Sequence, residues 1–397
     1  MISRAVGKVS LASMLLAILL LSSMVGLAAL IKPVAAAPES LTCSPTSGYV
    51  FTSVVLEGVG WGYLATVKIY FNSTQRGVFE YIRDVTTNAT GGFKVTVSVP
   101  PVVSGEYTWY AVEPGTQRAA KADFTVEEGI NLDRNEGPVG TIVRVYGSAS
   151  EWQSSKKVCI IFDKDKDGKL DAGEILTNVT STANGVIDVY VVVPDVKGAP
   201  YYFYANKTSI NIGGDLLPGN CYNASFTVES PIITISPSSG PVCSSVRVSG
   251  NYFKINYLVN ITLMKGTTVE ALLATNVPTN ATGGFRATVT IPYCTEAGIY
   301  KINATDGINS AAQDFEVSSP SITVSPASAM VGETITVEGQ NFAIQRDVTI
   351  YFSIRRTGAR YELIPVKTVT TNAAGGFRAT VIVPEVPNDN PTDMLQT

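Results

Sequence analysis

The chain has 397 residues, enough for two to four domains that each bury a core of their own. It carries 29 Lys and Arg against 33 Asp and Glu, a net charge of −4, with no basic run, which argues against a nucleic-acid or anionic-lipid footprint. There is no histidine, which removes the commonest general base, the Ser–His and Cys–His pairings and most catalytic zinc sites, and so argues against an enzyme.

In chain order, Arg4 and Lys8 precede an apolar run from Leu11 to Ile31, followed by KPVAAAPES. A positive start, an apolar run and small residues predict a secretory signal peptide over residues 1–36. The run is long for that purpose, so an uncleaved N-terminal membrane anchor stays open. Either way the rest of the chain is expected to leave the cytoplasm, secreted or held at the cell surface. No later apolar run is long enough to span a bilayer.

The remainder repeats one pattern four times, over 37–128, 129–230, 231–318 and 319–397. Each copy opens with a strand and turn: LTCSPTSGYV from Leu41, NLDRNEGPV from Asn131, ITISPSSGPV from Ile233 and ITVSPASAMV from Ile322. A second strand ends at a glycine bend: GVGW at Trp61, VRVYG at Gly147, VRVSGNYF at Phe253 and ITVEGQNF at Phe342. A third reads VKIYF, VCIIF, VNITL and VTIYF in the four copies. A turn and fourth strand recur almost verbatim as TTNATGGFKVTVSVP, PTNATGGFRATVTIP and TTNAAGGFRATVIVP, and in diverged form as STANGVIDVYVVVP. A hairpin such as GEYTWYA…ADFTV closes each of the first three copies.

The strands alternate apolar and polar residues, as Val95, Val97 and Val99 do against Lys94, Thr96 and Ser98. Period two with one buried face, tight Gly-Gly turns and no helical periodicity predict an all-β chain of tandem immunoglobulin-like β-sandwiches. Only EVPNDNPTDMLQT follows Pro384, so the fourth copy is expected to lack its last two strands. Two explanations stay open: a fragment of a longer protein, or a sandwich completed by strand exchange with a neighbour.

The P-x-SG-P-V, V-x-V-x-G-x-x-F, V-x-I-x-F and GGF-x-x-x-V-x-[VI]-P elements resemble the TIG/IPT-type immunoglobulin-like repeats of prokaryotic cell-surface proteins. The resemblance covers nearly all of the chain after the signal segment, and it implies a surface-layer, stalk or adhesion role. It brings no catalytic residues with it.

One loop departs from the repeat. FDKDKDGKLDAGE places Asp163, Asp165, Asp167, Gly168, Asp171 and Glu174 at positions 1, 3, 5, 6, 9 and 12 of an EF-hand calcium loop. Alternate acids supply hard oxygens, Gly168 permits the turn, Lys169 offers its carbonyl at position 7, and Glu174 can bind through both oxygens. Leu170 fits the position that packs inward. The competing reading is a solvated acidic loop that Lys164, Lys166 and Lys169 keep near neutral. A β-strand precedes the loop, so Ca2+ is expected to act as a staple rather than to open a helix pair.

Five cysteines in an exported chain permit disulfides. Cys243 and Cys294 lie in turns at one end of the third copy and are expected to pair. Cys159 and Cys221 form a second expected pair, and Cys43 aligns with inward positions as a buried thiol. Asn-x-Ser/Thr sequons stand at Asn72, Asn88, Asn178, Asn206, Asn223, Asn260, Asn280 and Asn303. Trp61 aligns with Phe253 and Phe342 and is expected in the core, whereas Trp109 and Trp152 remain open as sugar-stacking residues. The leading reading is a calcium-stiffened, glycosylated structural protein that binds itself, other surface proteins or glycans. The alternative is a carbohydrate-binding or adhesion module, accessory to a longer extracellular enzyme.

Overall fold

Each alternating run in the repeats is a strand, because period two lets one set of side chains leave water while the other stays in it. The computed structural model describes residues 38–73, 79–207, 209–217, 219–355 and 361–385. The expected signal peptide at 1–36 and most of the segment after Pro384 lie outside the described residues.

In the first copy, Ser40–Ser44, Ser53–Val59 and Phe93–Ser98 form a three-stranded antiparallel sheet. Facing it is a five-stranded sheet in the order Ser47–Gly48, Ala119–Val126, Gly105–Val112, Thr66–Ser73, Phe79–Thr86. The opening strand therefore changes sheets within a few residues, and its second half pairs in parallel with the last strand, Ser47 opposite Thr125. The second and third copies repeat this three-plus-five arrangement. Apolar residues of both sheets meet in one core, in the third copy Val246, Val248, Phe285 and Val289 from one side and Ile261, Ile302 and Phe315 from the other. This is the all-β, immunoglobulin-like sandwich that the alternation predicts.

The near-verbatim turn has a local cause. Asn280 Oδ1 accepts from Thr282 N at 2.9 Å and Gly284 N at 2.8 Å, and Asn88 and Asn372 do the same in their copies. Thr279, buried just before Asn280, accepts from Tyr257 N and donates to Lys254 O, as Thr87 and Thr371 do with their equivalents. Gly283 has φ +73, close to the +74 of Gly91 and the +71 of Gly375. A Cβ on Gly283 would lie 2.1 Å from the Phe253 carbonyl oxygen. Only glycine permits that approach. In the diverged second copy Ser181 takes the threonine's place and donates to Trp152 O.

The fourth copy has the three-stranded sheet Ser321–Ser325, Thr334–Gln340 and Phe377–Ile382, but its other sheet comprises only Asp347–Arg355 and Tyr361–Thr370 among the described residues. In the third copy the closing hairpin supplies Tyr300, Ile302, Phe315 and Val317 to the core. With no described strand in that place, Ile322 is 59% exposed where its counterpart Ile233 is 7% exposed. The chain divides into two compact units, one of residues up to Glu128 with Ser148–Ser150, the other of Gly129–Gly147 and the residues from Glu151 onward.

Candidate metal centre

The acidic loop connects Lys157–Phe162 to Ile175–Thr180, neighbouring antiparallel strands of the second sandwich. Pairing of Ile161 with Ile175 brings the two ends of the loop together, so Asp163 and Glu174 meet although they are its first and last acids. The carboxylate oxygens of Asp163, Asp165 and Glu174 lie within 4.8 Å of one another, and so do those of Asp165, Asp167 and Asp171. Every acid named from the sequence therefore falls in one of two clusters that share Asp165.

The backbone wraps inward around these groups. Asp163 accepts from Lys166 N at 2.6 Å and Gly168 N at 3.2 Å; Asp165 accepts from Asp167 N, and Asp167 from Lys169 N. Glu174 accepts from Lys164 N at 2.6 Å and Asp171 N at 2.9 Å, one bond to each oxygen. Gly168, at φ +74, makes the turn that the sequence pattern requires of it. The Lys169 carbonyl makes no hydrogen bond among the described residues, which leaves it available as the backbone ligand expected at position 7.

The loop's lysines do not neutralise it. Lys164 Nζ donates to Gly173 O at 2.6 Å, and Lys166 Nζ sits 4.2 Å from the centre of the Tyr201 ring. No ion pair joins a loop lysine to a loop acid among the described residues. Asp163 and Glu174 are buried all the same. Burial pushes the Asp163 carboxyl above its usual range, the charges of Asp165 and Asp167 add to that, and its two backbone hydrogen bonds oppose it. Each oxygen of these two buried carboxylates takes one backbone hydrogen bond and keeps a further lone pair, and with no cation paired to them among the described residues the all-oxygen set fits a hard divalent ion.

A second segment, which sequence reasoning did not find, holds the loop from outside. Leu170 N donates to Gly214 O at 2.9 Å, Gly213 N to Leu170 O at 2.7 Å and Leu216 N to Gly168 O at 2.8 Å. These bonds flank a bridge between Lys169 and Asp215 in the connection before the strand Cys221–Val228. Leu170 does point inward, and it packs with Ile161, Tyr204, Leu216 and Cys221 under that connection. The length of the connection and its apolar Leu216 in SINIGGDLLPGN were the available signal. Where an EF-hand has helices, this loop has two strands and a strap.

All five cysteines are free thiols in the structure, which differs from the two expected pairings. Cys221 stands opposite Asn206, and from the strand on the other side Cys159 N donates to Asn206 Oδ1 at 2.6 Å. Two strand spacings amount to about 9.6 Å, and bridgeable Cα atoms are rarely more than about 7 Å apart. The intervening strand Ala199–Asn206 is what separates them. Cys159 Sγ donates to Asn178 Oδ1 instead. Cys243 N donates to Ile291 O, three residues before Cys294, so the backbones of that pair do share one end of the third sandwich. Cys43 is half-buried and donates to Asp123 O. Burial, and then the nearby Cys159, push the Cys221 thiol up to about 11. In reduced protein at pH 8, exposed Cys294 is therefore expected to react with iodoacetamide long before Cys221, which peptide mass spectrometry over a time course will show. Equal rates would contradict this packing.

Trp109 and Trp152 are 0% and 1% exposed, so neither offers a face to a sugar. Trp109 packs on Phe71 at 4.3 Å, and Trp152 donates to Asn206 O at 2.8 Å. Trp61 is in the core, tilted against Phe93, as its alignment predicts. Of the sequons, Asn88, Asn178, Asn223, Asn260 and Asn280 are exposed and Asn303 is half-buried. Asn72 and Asn206 are buried, where a glycan would have to break the strand packing around them. In Asn88 and Asn280 the sequon has a structural cause, since Thr90 and Thr282 also donate to the asparagine oxygens.

No protein-family model and no curated protein matches the chain. Among solved structures it is similar to the tetra-tandem repeat in the extending region of a large adhesion protein, at 15% identity and a TM-score of 0.21, covering 87% of this chain and 90% of that one. It is similar to the D1–D4 ectodomain fragment of ICAM-5 at 13% identity and a TM-score of 0.20, covering 87% of this chain and 100% of that one. A biofilm-associated protein's BSP domain follows at 10% identity and a TM-score of 0.16, over 75% and 69% of the two chains. At these scores no residue of one chain is placed on a residue of another.

Proposed function

We propose that the chain is a non-enzymatic structural protein, secreted or displayed at the cell surface, in which Ca2+ stiffens the second sandwich. One observation carries the reading: two acid clusters that share Asp165, with two buried acids and no cation paired to them among the described residues, are strapped to a distant connection of the same sandwich. An ion bound there ties Lys157–Phe162, Ile175–Thr180 and the connection before Cys221–Val228 into one body. It adds rigidity and leaves nothing to be turned over. The residues that recur from copy to copy serve turns and cores, as a scaffold requires. Exposed sequons would carry glycans in a host with the machinery.

The test is thermal unfolding of the full chain in calcium and in chelator. A ligand present at 100 times its Kd stabilises by about 2.7 kcal/mol, so the transition of the second sandwich is expected to rise while those of the first and third stay put. Identical melts in the two buffers would sink the calcium part of the proposal.

A further inference from the structure

Two junctions between sandwiches lie inside the second unit, and they are built alike. At the first, Ile255 N donates to Val139 O at 3.1 Å, and a Cβ on Gly140 would lie 2.9 Å from the Ile255 Cγ1. The isoleucine thus plugs a socket that glycine, at φ +87, keeps open. Lys254 with Asp195 at 2.9 Å and Asn309 Nδ2 with Val196 O at 3.1 Å surround the plug. At the second, Ile344 N points to Val242 O at 3.4 Å, Cys243 takes the socket position at φ 66, and Arg346 lies over the Tyr293 ring. Pro241, beside that socket, is 3.1 Å from where a Gly375 Cβ would stand. Each plug comes two residues after the core aromatic, Phe253 or Phe342.

Among the described residues, the plug position of the first sandwich and the socket position of the fourth stand uncovered. In the first sandwich Trp61 holds the aromatic position and Tyr63 the plug position, 71% exposed. Leu64 follows at φ 46, matching Asn256 at 48 and Gln345 at 53. Gly62 N donates to Glu113 Oε2 just as Lys254 N donates to Asp306 Oδ2, so the supporting contact is also in place. In the fourth sandwich Gly332, at φ +83, holds the socket position, and its N–H donates to Val383 O as that of Gly140 does to Val193 O. A Cβ there would meet nothing within 4 Å, and Met330, in the place of Pro241, is 76% exposed. Neither the Tyr63 amide nor the Val331 carbonyl has a partner among the described residues.

We infer that Tyr63 of one copy of this chain docks in the Val331–Gly332 turn of a second copy, with Tyr63 N donating to Val331 O. The contact repeats the geometry that already joins the second sandwich to the third. Glycine at the socket leaves room for the larger tyrosine ring. The contact is heterologous, joining two different surfaces, so copies add head to tail and the series need not close. The inference shares the structural reading of the chain but does not depend on calcium. Inside the chain the tether raises the effective concentration of each junction, so the contact between copies is expected to need concentrated protein.

Sedimentation of the full chain over a wide concentration range, in calcium and in chelator, tests it. The average mass is expected to climb with concentration in both buffers. Tyr63→Glu and Met330→Glu, at exposed positions, are each expected to stay monomeric while melting like the parent, and Tyr63→Phe to associate like it. An equimolar mixture of the two Glu variants is expected to stop at dimers, because one keeps a socket and the other a plug. A parent that stays monomeric to millimolar concentration, a Glu variant that associates as the parent does, or a mixture without dimers would each overturn the inference. Loss of calcium binding alone would leave it standing.

Discussion

Glu174→Gln is expected to abolish calcium binding and to weaken the second sandwich even without the ion. Both Glu174 oxygens accept backbone N–H groups, from Lys164 at 2.6 Å and Asp171 at 2.9 Å, and the side chain is 2% exposed. An amide of the same shape keeps one oxygen and turns an NH2 group toward the other donor. Two buried donors then face each other without an acceptor, which costs about 1–3 kcal/mol. Asp165→Asn separates binding from folding. Its carboxylate is exposed, holds one hydrogen bond of 3.2 Å to Asp167 N, and belongs to both acid clusters. It is therefore expected to lose calcium affinity with little change in the melt in chelator. Calorimetric titration with calcium, together with melts of each variant, checks both statements. An Asp165→Asn protein that binds calcium as tightly as the parent would remove the shared-oxygen account of the site.

Trp109→Ala is expected to cost the first sandwich about 3–5 kcal/mol, the range for deleting a large buried aromatic. The ring is fully buried, 4.3 Å from Phe71 and 6.3 Å from Phe124, so deleting it removes the packing of both. Its Nε1 has no hydrogen-bond partner among the described residues. Trp109→Phe leaves no such donor behind, so it is expected to lose much less than Ala does. Denaturant unfolding of the full chain, read at the transition of the first sandwich, measures the difference. If Trp109→Ala left that transition in place and instead removed binding to a glycan array, the packing described for this ring would be wrong.

Features built from residues close together along the chain are legible in the amino-acid sequence alone. The alternation of Val95, Val97 and Val99 marks a strand because side chains point to opposite faces at each step. The Thr-Asn-x-x-Gly-Gly turn repeats because Asn88, Asn280 and Asn372 support amides two and four residues on. The metal loop is legible for the same reason, since its acids are contiguous and their spacing follows from the curvature that a cation imposes. Trp109 was within reach too: it alternates with Thr108 and Tyr110 in phase with Tyr107 and Ala111, which is the inward phase.

What tertiary structure decided lies where separate segments meet. Trp152 sits in a short 3-10 turn with no periodicity to betray that it is buried. Cys159 and Cys221 share a sheet face, and only strand order reveals that Ala199–Asn206 runs between them. The strap across Gly168–Leu170, and the seat of Ile255 on Gly140, depend on which distant backbones come within hydrogen-bond reach. Local sequence sets the direction in which a side chain or a carbonyl points. What it meets there is set by the packing of the whole sandwich, and that is why the calcium loop could be read from thirteen residues while the parts that make it a staple could not.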